Sequence, residues 1–166
     1  GADPNVKTKS SHHFRPLHRT VLQREEQPRG PQHLELVEML LDRGADPNLR
    51  GSYWLLTPLA LAVRGGQKQF VPLLKGPTDN DIYNACIMAD ARRVATLLKK
   101  DPGLATGADT ANDWKPLRYC AESRLDGTGK KADSTVAVAR ALVEAGAVPD
   151  DGLDTAIHAK NLDLVA

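Results

Sequence analysis

The pentapeptide Gly1-Ala2-Asp3-Pro4-Asn5 recurs as Gly44-Ala45-Asp46-Pro47-Asn48. The second copy ends an amphipathic run from Leu34 to Arg43, and Thr57-Pro58-Leu59-Ala60 follows shortly after. Helix, glycine stop, turn, then a new helix start: this order defines a repeating unit. A unit of two short helices is too small to bury its apolar face alone, so neighbours must supply the rest of the core. Gly146-Ala147-Val148-Pro149-Asp150 is a weaker copy of the same block. Aromatic residues make up only 4% of the chain. That suits interiors packed on Ala and Leu, with Ala62, Ala85, Ala121 and Ala156 at the inward positions.

Starts and stops divide the chain into helix pairs. Thr57 is a good N-cap, and Pro58 fits the first turn, where a missing N–H costs nothing. Leu59, Ala62 and Val63 then share a face, and Gly65-Gly66 ends the helix. Its partner carries Phe70, Val71, Leu73 and Leu74 and stops at Gly76-Pro77. Pro72 predicts that this helix is short or kinked, because an interior proline costs about 3 kcal/mol. Arg15-Pro16-Leu17-His18 opens an earlier helix that ends near Leu22. Its partner spans 33–43 and is closed by Gly44 in the left-handed role; a charged insertion over 23–31 separates the two. Residues 81–88, with Ile82, Ala85 and Cys86 inward, pair with 91–100, with Val94, Leu97 and Leu98 inward. As a buried deletion, Leu97→Ala is expected to cost about 2–5 kcal/mol. Lys115-Pro116-Leu117 starts a fourth pair. Its second helix, Ser134 to Ala145, follows a polar insertion over 125–133. Leu153, Ala156 and Ile157 begin a fifth pair, and Leu162, Leu164 and Val165 its cut-off partner.

Little in the chain supports catalysis. The net charge is +1, so no global field argues for nucleic acid or membrane, and no apolar run approaches the ~20 residues a bilayer span needs. Residues 1–32 are locally basic, with Lys7, Lys9, Arg15, Arg19, Arg24 and Arg29 against Asp3, Glu25 and Glu26. His12, His13 and His18 could offer imidazoles to zinc, but no Cys or well-spaced carboxylate completes a set, so no metal site is expected. Cys86 and Cys120 form no disulfide framework and read as small buried thiols of a reducing compartment. Gly127-Thr128-Gly129-Lys130-Lys131 is too short for a phosphate-binding loop. Glu25-Glu26 and Asp150-Asp151 lie in loops with no apolar pocket to raise a pKa. No catalytic residue and no cofactor are expected. The chain starts without Met, in mid-motif, and stops inside an apparent helix; it reads as a fragment of a longer array.

Taken in order, Arg15-Pro16-Leu17-His18, Thr57-Pro58-Leu59, Lys115-Pro116-Leu117 and the two Gly-Ala-Asp-Pro-Asn blocks resemble the ankyrin repeat family, whose period is about 33 residues. The resemblance implies an all-α solenoid of stacked helix-turn-helix repeats with short β-hairpin or loop fingers. It would form a single domain over 1–166, with repeats near 1–48, 49–80, 81–109, 110–150 and 151–166. The chain also departs from the pattern. Gly76 to Asn80 and Gly146 to Gly152 are too short for a finger, so fingers are expected between repeats one and two and between three and four. Asp101-Pro102-Gly103-Leu104 replaces the usual glycine block. Only His18 keeps the family's histidine after Pro-Leu; Ala60 and Arg118 stand in its place elsewhere.

In such arrays Tyr53, Trp54 and Trp114 would lie at fingertips on the concave side. An exposed Tyr or Trp is a rigid, amphipathic anchor. In the same register Leu56, Arg64, Ile87, Glu122 and His158 would face the groove, Leu56 and Ile87 as hydrophobic contacts, Arg64 and Glu122 as charged selectors. Replacing Tyr53 and Trp54 together is expected to leave the helices intact and weaken capture. The function implied is a non-catalytic, monomeric, cytoplasmic protein–protein interaction module whose partner is a protein. Two other readings stand beside it. The array is the recognition arm of a larger multidomain enzyme or effector, or its basic N-terminal stretch binds an anionic partner. Nucleic acid ranks low, because no aromatic stacking platform accompanies the charges.

Overall fold

The computed structural model describes residues 2–9, 12–22, 30–125 and 132–148, the last from Thr135 onward where side chains are concerned. Most of both insertions and the expected fifth pair, from Leu153 to Val165, lie outside these residues. The described residues hold α1 (Pro16–Val21), α2 (Pro31–Asp42), α3 (Pro58–Arg64), α4 (Val71–Lys75), α5 (Ile82–Ile87), α6 (Ala91–Lys100), α7 (Pro116–Ala121) and α8 (Ala132–Glu144). Proline occupies the first turn of α1, α2, α3 and α7. Side chains cap the orphan N–H groups elsewhere: Thr57 accepts from the Ala60 N–H at 3.2 Å, Asp81 from Asn84 at 2.7 Å and Asp90 from Arg93 at 3.0 Å. Pro72 proves harmless. A 3-10 turn over Lys68–Phe70 precedes α4, so the proline falls in a first turn rather than an interior.

One closure recurs at the helix C-termini. After α2, Gly44 and Ala45 donate to the carbonyls of Leu41 and Leu40, both at 2.9 Å. After α8, Gly146 and Ala147 donate to Val143 and Leu142, again at 2.9 Å. After α3, Gly66 and Gln67 donate to Val63 and Ala62. Each glycine has a positive φ, 83°, 100° and 70° respectively, which is the left-handed residue this closure needs. Ala45 and Ala147 tuck inward and are buried. After α5 the same bonds form from Ala89 to Cys86 and from Asp90 to Ala85, both at 3.0 Å, but the left-handed residue is alanine, at φ 52°.

The rest of the repeated block acts as a splice. Asp3 Oδ1 accepts from the Asn5 N–H, and Asp46 Oδ1 from the Asn48 N–H, both at 2.8 Å. These turns aim the asparagine side chains at the next turn along. Asn5 Oδ1 accepts from the Asp46 N–H at 2.7 Å while its Nδ2 donates to the Gly44 carbonyl at 2.9 Å. Asn48 Oδ1 accepts from the Asp79 N–H at 2.7 Å. The asparagine of one block therefore holds the turn of the following one.

The chain divides into two compact units, Gly1–Asp79 and Asn80–Ala166. In the first, α1 packs on α2 and α3, and α3 on α4; Phe14, Leu17, Val37, Leu59, Phe70 and Leu74 are buried there. In the second, α5 packs on α6 and α7, and α8 on α6 and α7, around Ile82, Cys86, Val94, Leu117, Tyr119 and Leu142. Each unit thus sets first helix against first helix, as modules that share an interior must. In place of a hairpin finger, the β pairing outside the helices among the described residues is a single antiparallel bridge between Gly51 and Leu56. On α6, Val94 and Leu98 are buried, whereas Leu97, expected inward with them, is only half-buried.

Two stability changes follow. Ala89→Gly should raise stability by a few tenths to about 1 kcal/mol, since only glycine takes a positive φ without strain. Leu98→Ala should cost about 2–5 kcal/mol as a buried truncation, and Leu97→Ala clearly less. Urea unfolding of the three variants checks both.

Candidate functional site: the Tyr53 loop

Three loops lead into first helices, and all end two residues before the opening proline, on Phe14, Leu56 and Trp114. All three of those side chains are buried. A backbone bond closes each loop onto that residue's carbonyl: from Thr8 at 2.8 Å, from Gly51 at 3.0 Å and from Asp109 at 2.9 Å. The residue just before it is left-handed in each, His13 at φ 48°, Leu55 at 50° and Asp113 at 62°. The loops are copies of one design that differ at their tips.

In the second unit the tip is polar and satisfies itself. Asp109 Oδ1 accepts from the Ala111 N–H at 2.9 Å, and Asp109 Oδ2 from the Tyr119 hydroxyl at 2.7 Å. Asn112 donates to the Tyr119 oxygen at 3.0 Å and accepts from the Trp114 N–H at 3.0 Å. In the first unit, Tyr53 and Trp54 stand where that loop has Ala111 and Asn112. Tyr53 is 61% exposed, yet three rings hold it. His12 meets it edge-on with centroids 4.2 Å apart, Phe14 at 5.4 Å and Trp54 at 5.9 Å. The Arg64 guanidinium lies over the Trp54 ring at 3.8 Å, and Arg19 over Phe14 at 4.4 Å; each such contact is worth about 0.5–1 kcal/mol at a wet site.

Beneath the rings sits His18. Its buried imidazole donates from Nε2 to the Leu56 carbonyl at 3.0 Å. The loop backbone passes so close that a Cβ on Gly51 would come within 2.7 Å of the His13 carbonyl oxygen and 2.9 Å of His18 Nε2, so only glycine fits. Arg15 ties the loop's entry by donating to the Arg50 carbonyl, and to that of His13 at 3.3 Å. Burial pushes the His18 pKa down from 6.5 to about 4. The bond to Leu56 opposes that shift and the nearby Arg15 charge adds to it.

The structure sorts the expected contact residues. Tyr53, Trp54 and Arg64 come together, although Arg64 stacks on Trp54 rather than standing apart as a selector. Leu56, expected at the surface, is fully buried, because the loop-closing position points into the core. Ile87 is fully buried on α5, and Glu122 is buried at the C-cap of α7. Trp114 is buried between Arg118, 4.1 Å from its ring, and Tyr119, 5.5 Å between centroids. His158 lies outside the described residues. Sequence reasoning missed Phe14 and Arg19 and weighed His12 only as a zinc ligand. The signal was present, since Phe14-Arg15-Pro16-Leu17 parallels Trp114-Lys115-Pro116-Leu117.

Burial raises the pKa of the Cys86 thiol well above its usual value and that of Cys120 to about 12, so both are protonated at neutral pH and sealed inside. Among the described residues no three His, Cys, Asp or Glu side chains gather to hold a metal, and no helix there is long and apolar enough to cross a membrane.

Residues 30–74, which include α2, α3 and the whole Tyr53 loop, match the family model described as ankyrin repeats (many copies). That match supports an ankyrin repeat assignment for this segment. No curated protein matches it. Ankyrin repeats generally serve as protein-interaction modules, and domains built from them are typically non-catalytic.

The sign of the His18 effect is definite. Above about pH 6.5 the ring is neutral in both states and makes no difference. As pH falls toward 4 the unfolded chain takes up a proton that the folded one refuses, and stability drops by on the order of 3 kcal/mol before levelling off. Urea unfolding at about pH 7 and about pH 4.5 should show this loss in the native chain, and His18→Gln should lack it.

Proposed function

We propose that this chain captures a protein partner, without catalysis, through the Tyr53 loop as one finger of an ankyrin solenoid. The carrying observation is the contrast between two equivalent loops. The 109–114 loop closes without aromatic residues at its tip, so the fold does not require Tyr53 and Trp54. Exposing a tyrosine without structural need costs solubility, and a binding role accounts for it.

The loop is also built for display. Ser52 and Leu55 flank the two aromatics with φ of 74° and 50°. A leucine there costs about 1–2 kcal/mol, and its left-handed turn is one the loop shares with His13 and Asp113. With its ring held by three others, Tyr53 loses little freedom on binding, which favours affinity. Trp54 and Arg64 back it up; Leu56, Trp114, Ile87 and Glu122 serve as support from within. A role as the recognition arm of a larger enzyme or effector would use the same surface.

Tyr53→Ala should leave helical circular dichroism and thermal stability nearly unchanged. It should weaken any ligand selected against the intact chain by at least ~1 kcal/mol, about fivefold. Leu56→Ala should instead destabilise by about 2–5 kcal/mol. Calorimetric titration beside thermal unfolding separates the two, and unchanged affinity in Tyr53→Ala would remove the loop from the contact surface.

A further inference from the structure

The segments that build the Tyr53 loop and its ring cluster are mostly basic, although α2, which packs on α1, carries Glu35, Glu38 and Asp42. Segments 2–9, 12–22 and 49–64 carry Lys7, Lys9, Arg15, Arg19, Arg50 and Arg64 against Asp3 alone. Two of these cations lie on the rings, and backbone contacts bring others near them. The bond from the Thr8 N–H to the Phe14 carbonyl sets the exposed Lys7 and Lys9 beside Phe14, which packs on Tyr53. Arg19 covers Phe14, Arg64 covers Trp54, and Arg15 holds the Arg50 carbonyl.

The faces of aromatic rings are negative and their edges positive. Here guanidinium groups already cover the faces of Phe14 and Trp54. A cationic or methylammonium ligand would find those faces taken and like charge around them. What the surface offers a ligand is the exposed Tyr53 together with exposed ammonium and guanidinium groups, which complement carboxylates. A nucleic acid strand is met less well. The rings contact one another edge to face, leaving no run of bare faces for bases, and the net charge of the whole chain is only +1.

Building on the Tyr53 loop as the contact surface, we propose that its partner presents an acidic peptide segment. The segment's carboxylates meet Lys7 and Lys9, and an apolar side chain lies against Tyr53.

The test is selection of random peptides displayed on phage against the intact chain, followed by titration of a synthetic copy of the enriched sequence. Enriched peptides should be net negative. Their affinity should fall several-fold between low and physiological salt. A copy with Asp and Glu changed to Asn and Gln should bind poorly. The double variant Lys7→Gln, Lys9→Gln should bind more weakly, with a flatter salt dependence and unchanged circular dichroism. Neutral or basic peptides whose binding is lost in Tyr53→Ala would overturn the acidic partner and keep the loop as the contact surface. Acidic peptides that bind Tyr53→Ala undiminished would overturn both. A single-stranded oligonucleotide binding more tightly than the acidic peptide, or no enrichment of any peptide, would also overturn the proposal.

Discussion

The carbonyl of Leu56 accepts two hydrogen bonds, one from the Gly51 N–H and one from the buried His18 imidazole, and the display of Tyr53 depends on both. The first closes the loop on itself. The second fastens the closed loop to α1, the helix of the preceding repeat. Both need Gly51 without a side chain, so an invisible interior contact fixes the position of a visible surface ring. Removing the ring would cost the fold little; removing what lies beneath it would release the ring.

Much of the architecture was legible in the residues themselves. Thr57-Pro58, Asp101-Pro102 and the glycines after α2, α3 and α8 act locally, through capping and backbone conformation, and local chemistry can be read in order along a chain. The end of α6 at Lys100 followed from Asp101-Pro102-Gly103 as stop. The splice role of Asn5 and Asn48 was not legible, although the block containing them was the clearest signal present. A repeated pentapeptide shows that a turn recurs, but not that its last side chain reaches into another turn.

The candidate site was legible in part, for a related reason. Tyr53 and Trp54 drew notice as aromatics in a loop, and they meet. Leu56, Ile87 and Glu122 were assigned to an open face by register alone, and register fixes where a residue stands without saying whether a neighbour covers it. Leu56 points inward because it is the loop-closing residue, a role Phe14 and Trp114 share. Recognising that shared role needs the loops superimposed by their hydrogen bonds, since 8–14 and 51–56 have little sequence in common. His12 and His13 raised the question of a metal, and packing answers for one of them: His12 is an aromatic neighbour of Tyr53.

The asparagine splices span unequal lengths of chain. Asn5 reaches a partner 41 positions onward, whereas Asn48 reaches one 31 positions onward, and in both the donor is an aspartate N–H, of Asp46 and of Asp79. The join is therefore indifferent to how many residues intervene. The connection between helices on one flank can lengthen while the turns on the other flank stay in step. Variation and alignment are carried by different sides of the same repeat, so new segments can be tried without refounding the scaffold.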